Sequence, residues 1–282
     1  MIERIVVFIV GSMFGSFLNV CIYRLPRGES IIKPRSYCPR CKKTIPWYDN
    51  IPLFSYLTLR GRCRFCKEKI SIQYFIVELI TAIAFLLFFN LYGLGYNFFF
   101  YIVFICGLII ATFVDIRHRI IPDEISVGGI VLGFLFSLIK NFTRPCIFNV
   151  RHPVSSLFYN PPPALDSILG ILLGAGVIYF TGVGFDWIYF RLLKKPPIDG
   201  ETESMGGGDV KLLAMIGAFL GWKGAIFTFF IAPLLGAIFG LINLIITKKH
   251  TIPYGPFLAL AALFVIFWQH QIINLIVYGC LP

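Results

Sequence analysis

Charged side chains are scarce in this sequence: Asp, Glu, Lys and Arg make up 14% of its 282 residues. A soluble domain carries about 25%. With 57% hydrophobic residues and a mean hydropathy of +0.81, that deficit excludes an ordinary soluble globule. Acids are the scarcer sign, 14 against 25 basic residues, for a formal net charge of +11. A basic balance of this kind can mark nucleic-acid binding. No nucleic-acid-binding motif accompanies it here, and anionic lipid headgroups account for it more simply. The glycine-rich strand–turn–helix fingerprint of a soluble cofactor fold is also missing. The first apolar run, from Ile5 to Ile22, lacks a strongly basic lead-in and a small-residue cleavage site, so it reads as a retained span. No internal repeat or low-complexity segment stands out.

What is present is a series of apolar runs, several of them long enough to cross a bilayer core of about 30 Å. They predict an all-α polytopic membrane protein of about eight helices, near 5–22, 72–91, 97–115, 121–139, 166–191, 208–221, 224–247 and 255–278. About half of the 25 basic residues lie between Arg24 and Lys69. Placing the basic loops inside puts 23–71 and 192–207 in the cytoplasm and both termini outside. The segment 140–165, with Pro161-Pro162-Pro163, then lies outside. In the short sixth span, Gly217 and Gly221 suit close packing or a tilt.

Only 23–71 resembles an independent domain, and it is too small to rest on a hydrophobic core alone. Cys38-Pro39-Arg40-Cys41 and Cys63-Arg64-Phe65-Cys66 supply a staple. Two C-x2-C turns aim four thiolates at one point, the donor set of a closed structural zinc site. Two disulfides or four free thiols are the alternatives; reducing cytoplasm opposes the first and paired spacing the second. Cys21 and Cys106 lie in spans as packing residues. Cys146 and Cys280, both on the outside, leave a disulfide open.

Carboxylates in or beside spans are costly and point to function. Asp115 ends the run FICGLIIATFVD, and Asp209 follows Gly206-Gly207-Gly208 at the start of the sixth span. Both fall at the cytoplasmic level, where two carboxylates sharing a proton would form an aspartic-protease dyad. The triple glycine lets backbone approach closely, either a neighbouring helix or an extended substrate strand. The structural alternatives are an N-cap role for Asp209 and pairing of Asp115 with Arg117, Arg119 or a headgroup. Asp123 reads as a helix cap. Lys211 reads as a snorkelling cation or as a partner for an acidic substrate residue. Helix direction favours Asp209 as the ionised member of the pair.

These motifs resemble the bacterial type IV prepilin leader peptidases, grouped with the GxGD membrane aspartic proteases. The resemblance runs in order through GSFLNVCIYRLP (15–26), the knuckles with WYDNIPLFSYLTLRGRC (47–63), ISIQYFIVEL (70–79), DIRHRIIPD (115–123), GGGDVKLLAMIGAFLGW (206–222) and YGPFLAL (254–260). It implies cleavage of basic leaders from prepilins and pseudopilins at the cytoplasmic face of the bacterial inner membrane. It further implies methylation of the new N-terminal amine by S-adenosylmethionine. By motif position Asp115 and Asp209 would be catalytic, and Cys38, Cys41, Cys63 and Cys66 would hold zinc. Gly61 falls in a segment linked to methylation, with a tight turn as the plainer reading. Glu78 is a candidate contact for the methyl donor or an interface cap. The implied organisation is a first span (1–22), a zinc domain (23–71) and a peptidase domain (72–282). The segment 140–165 is longer than the family pattern. Rival functions are a peptidase without methylation, which the N-terminus of mature pilin would reveal, and a non-enzymatic zinc-binding assembly factor.

Overall fold

A computed structural model describes residues 1–143, 161–192, 206–247 and 253–278. Cys146, Cys280, most of the segment 140–165 and most of the loop 192–207 lie outside the described residues. Among those described, the chain is helical, with two isolated β-bridges and no strand. The long helices are α1 (Ile2–Arg24), α3 (Ile72–Tyr92), α4 (Tyr96–His118), α5 (Asp123–Thr143), α6 (Pro163–Asp186), α7 (Gly207–Thr247) and α8 (Gly255–Tyr278), with a short α2 (Phe54–Thr58). Six of them are long and apolar enough to cross a membrane, and the apolar stretch Gly255–Gln269 is shorter. The eight expected spans match these helices in order, because α7 is two helices joined at Gly221. The chain forms two compact units, Met1–Val114 and Asp115–Pro282, and the division falls within α4.

In the first unit, α1 lies along α3 through Gly11 and Gly15. A Cβ added at Gly11 would stand 2.8 Å from that of Phe85, and one at Gly15 would stand 2.6 Å from the Glu78 Cα. This is the small-xxx-small contact that lets spanning helices approach closely. The Asn19 amide donates to the Tyr74 carbonyl at 3.0 Å and fixes the register. Helix α3 starts where Ser71 caps the Gln73 N–H and ends at Gly93, whose φ of 63° few other residues adopt comfortably.

In the second unit, α6 and α7 form the most extensive helix pairing among the described residues. Gly170 and Gly217 face each other so closely that neither has room for a side chain. Buried Ser167 ties the same pair by donating to the Ala218 carbonyl at 2.9 Å. The proline run ends where expected: Pro162 is the N-cap of α6 and Pro163 its first residue, the position at which a missing N–H costs nothing. Helix α6 leaves through a π-turn, Trp187–Leu192.

Inside α7 the backbone breaks at Gly221, with φ 74° and ψ −179°. The next residue, Trp222, donates its N–H to the Asp166 carboxylate at 3.1 Å. Asp166 thus satisfies one of the free N–H groups at the start of the second helical segment, from a different helix. Close packing and a change of direction, both open to Gly217 and Gly221 from the sequence, are divided between them: Gly217 packs and Gly221 turns the chain.

Candidate active site and metal centre

Asp115 and Asp209, remote in sequence, come together in the second unit. Asp115 lies in the last turn of α4, only 6% exposed, and α4 runs one turn past it to His118. Its Oδ2 accepts the Gly255 N–H at 2.8 Å, and Arg119 is close enough to contribute charge. A Cβ at Gly255 would stand 2.8 Å from that same oxygen. Glycine there is required by the approach of backbone to carboxylate.

Asp209 sits in the first turn of α7, with its own N–H bonded to the Gly206 carbonyl at 3.0 Å. It is near enough to Asp115 for their charges to interact. No hydrogen bond from a described residue reaches its carboxylate, which distinguishes it from a helix cap. The preceding glycines differ in their surroundings. Among the described residues, a side chain at Gly207 would meet nothing within 4 Å, and one at Gly206 would come 3.9 Å from the Asp209 carboxylate, whereas Gly208 packs against Ile121. An open strip of backbone therefore leads up to Asp209.

Tyr254 completes this cluster. Its hydroxyl is buried and has no hydrogen-bond partner among the described residues. Burial first, and then the Asp209 charge, push the phenol up to about 12, so it keeps its proton as a donor. Alone, a tyrosine before Gly-Pro gives no signal of this role.

Two neighbouring polar residues are corrected by the structure. Asp123 is the first helical residue of α5, and it pairs with Lys211 at 2.6 Å instead of capping. Lys211 is thus neither a snorkelling cation alone nor free for a substrate acid. The pair joins the start of α5 to that of α7 beside the aspartates.

In the first unit, the four cysteines converge as their spacing requires. The Sγ atoms of Cys38, Cys41, Cys63 and Cys66 all lie within 4.8 Å of one another, with Cys38 and Cys66 at 3.8 Å. Tetrahedral zinc with Zn–S bonds of about 2.3 Å needs sulfurs about 3.8 Å apart. All four are free thiols, so the disulfide alternative fails. The backbone N–H of Cys66, with that of Phe65 assisting, holds the Cys63 thiol down to about 7, favouring the thiolate a metal binds.

The knuckles are copies of one another, which overturns the expectation of no internal repeat. In each, the first cysteine's N–H donates five residues on, Cys38 to Lys43 at 3.0 Å and Cys63 to Glu68 at 2.8 Å. Each first cysteine's carbonyl in turn accepts from a lysine, Lys42 or Lys67, held at a positive φ of 58° or 56°. Each is closed by an isoleucine, Ile45 N–H to the Ser36 carbonyl and Ile70 N–H to the Gly61 carbonyl. The duplication is also written in the sequence, as C-x2-C-K-x2-I at 38–45 and 63–70.

Around the knuckles, Arg64 grips Asp49 with two hydrogen bonds of 2.6 Å, which hold the Asp49 carboxyl below its usual range. Gly61 makes a left-handed turn, φ 64°, over the Tyr56 ring. Glu78, 8% exposed, accepts the Leu53 N–H at 2.8 Å.

Comparison with known proteins identifies the family. Residues 9–92 match the bacterial peptidase A24 N-terminal domain, and residues 102–241 match the type IV leader peptidase family. The chain belongs to the type IV leader peptidase family. Among its relatives is the prepilin leader peptidase/N-methyltransferase of Aeromonas salmonicida, 32% identical over 94% of this chain and 91% of that protein. The one from Legionella pneumophila is 33% identical over 92% and 89%. In the Myxococcus xanthus protein of that name, the match is 32% identical over 86% of this chain but only 63% of the relative's length. No solved structure matches the chain. As in the sequence reading, this family member is a multi-pass helical membrane protein with a four-cysteine cluster that can hold zinc.

Proposed function

We propose that this chain is a membrane aspartic endopeptidase. It removes the leaders of type IV prepilins and pseudopilins at the cytoplasmic face of the bacterial inner membrane and then methylates the exposed amine with S-adenosylmethionine. The observation that carries the reading is the meeting of Asp115 and Asp209 beside Tyr254 and Gly255. In the proposed chemistry the pair holds one proton. The ionised carboxylate takes a proton from water as the oxygen attacks the scissile carbonyl, while the protonated partner donates to the carbonyl oxygen. The proton belongs to the pair as a unit. The Gly255 N–H fixes the orientation of Asp115, and the Tyr254 hydroxyl is placed to steady the substrate carbonyl or Asp209 through the tetrahedral intermediate. The strip Gly206-Gly207-Gly208 admits an extended substrate backbone.

In this reading residues 72–282 carry the peptidase and residues 23–71 serve methylation. Cys38, Cys41, Cys63 and Cys66 would hold a structural zinc ion that fixes the two knuckles together. The methyl donor supplies an electrophilic methyl group. Its transfer to the free amine nitrogen breaks the carbon–sulfur bond, leaving a thioether and releasing an amine proton. Gly61 and Glu78 support the donor region from outside it, Gly61 by closing the second knuckle and Glu78 by holding Leu53.

The test is cleavage of a purified prepilin by the detergent-solubilised protein, followed by mass spectrometry of the mature N-terminus. Cleavage with a mass gain of one methyl group is the expected result. Cleavage without the gain leaves the peptidase alone, and no cleavage by a zinc-loaded, folded protein overturns the reading.

A further inference from the structure

The first unit contains a cleft of about 310 Å³ between the end of α1 and the first knuckle, lined by Phe17, Val20, Arg24, Ser36, Trp47 and Asn50 among others. That volume lies at the lower end of small-molecule sites. Arg24 is only 5% exposed. Its guanidinium donates to the Ser30 carbonyl at 2.9 Å and the Pro34 carbonyl at 2.7 Å. Both partners are neutral, and among the described residues no carboxylate pairs with it. A buried cation without a counter-charge is costly, and a guanidinium with donors to spare is shaped for a carboxylate. Trp47, by contrast, is 74% exposed and offers an indole to a flat ring. Asn50 brings both a donor and an acceptor.

We infer that this cleft is the methyl-donor site, with Arg24 on the S-adenosylmethionine carboxylate, Trp47 stacked on the adenine and Asn50 at the adenine edge. The inference rests on the methyltransferase reading above and gives it a location. It also gives the zinc site a purpose beyond stability. Trp47 and Asn50 share one 3-10 turn, Trp47–Asn50, which Arg64 of the second knuckle holds through Asp49. The metal would organise the knuckles, the second knuckle would hold the turn, and the turn would carry two of the three contacts.

The test is equilibrium dialysis of radiolabelled S-adenosylmethionine against the zinc-loaded, full-length protein in detergent, with zinc content and thermal midpoint as checks on folding. Trp47→Ala removes an exposed side chain and should weaken binding about tenfold. For Arg24 the decisive ligand is decarboxylated S-adenosylmethionine. Wild type should bind it about a hundredfold more weakly than the intact donor, and Arg24→Lys should lose most of that discrimination. A purely structural arginine would lower both affinities together and leave their ratio unchanged. If wild type binds the donor but Trp47→Ala binds equally well and Arg24→Lys keeps the ratio, the site lies elsewhere and the methyltransferase reading survives. If wild type binds no donor at millimolar concentration, both fail. Loss of donor binding on adding phosphatidylglycerol, with the Arg24→Lys ratio unchanged, would assign the arginine to a lipid phosphate and overturn the inference.

Discussion

The cysteine cluster and the aspartate cluster bring remote residues together by opposite means. Each knuckle is built locally, by hydrogen bonds inside ten residues and a lysine in a left-handed turn, and a metal then has only to join two preformed halves. The aspartates have no local scaffold of that kind. Asp115 is oriented by a backbone N–H from another helix, and Asp209 is set by the start of α7, itself held through glycine contacts with α6. The first cluster should therefore tolerate distant change and depend on its metal. The second should be indifferent to metal and sensitive to single methyl groups on helices.

The largest expected effect is at the dyad. Asp115→Asn and Asp209→Asn should each lower leader cleavage by about a thousandfold or more, with zinc content unchanged by metal analysis. Wild-type cleavage by either variant would return that aspartate to a structural role. Next is the metal. Stripping zinc with a chelator, or Cys38→Ser with Cys41→Ser, should abolish methylation while cleavage falls much less. Equal losses in the two assays would dissolve the contrast between the regions. Tyr254→Phe, which removes one oxygen, should lower kcat about a hundredfold with little change in KM; an unchanged kcat would make the hydroxyl a bystander. Gly255→Ala should lower kcat by roughly tenfold, because the new methyl group presses on the Asp115 carboxylate. Smallest is Lys211→Ala, which breaks a pair with both partners well exposed. It should destabilise the protein by at most about 1 kcal/mol, read as a slight fall in thermal midpoint.

The sequence showed most clearly what hydropathy and spacing encode. Eight apolar runs became helical segments within a few residues, and two C-x2-C turns converged. What it hid depended on contacts between distant positions. Lys211 and Asp123 looked like an isolated cation and a cap because nothing in either neighbourhood names the other. Asp166 carries no sequence signal of its role, because its partner is the N–H of Trp222, a group every residue but proline carries. Tyr254 was one aromatic among many until its hydroxyl proved buried beside Asp209. The knuckle repeat is short, four shared residues in C-x2-C-K-x2-I, and its extent shows only in the matching main-chain hydrogen bonds.

The break at Gly221 also sets how far α7 can run straight. Helix α7 has 41 residues; straight, it would be about 62 Å long, roughly twice the hydrocarbon thickness of a bilayer. Its apolar window extends across Gly207–Ile242, and only the short stretch around Gly221 and Lys223 separates its two apolar runs. The division rests on one glycine and on the carboxylate of Asp166 that receives the restarted helix. Replacing Gly221 with leucine would do more than crowd a kink. It would displace the Asp166 carboxylate, 2.4 Å from where a Cβ would stand, and so take from the Trp222 N–H the acceptor that restarts the helix.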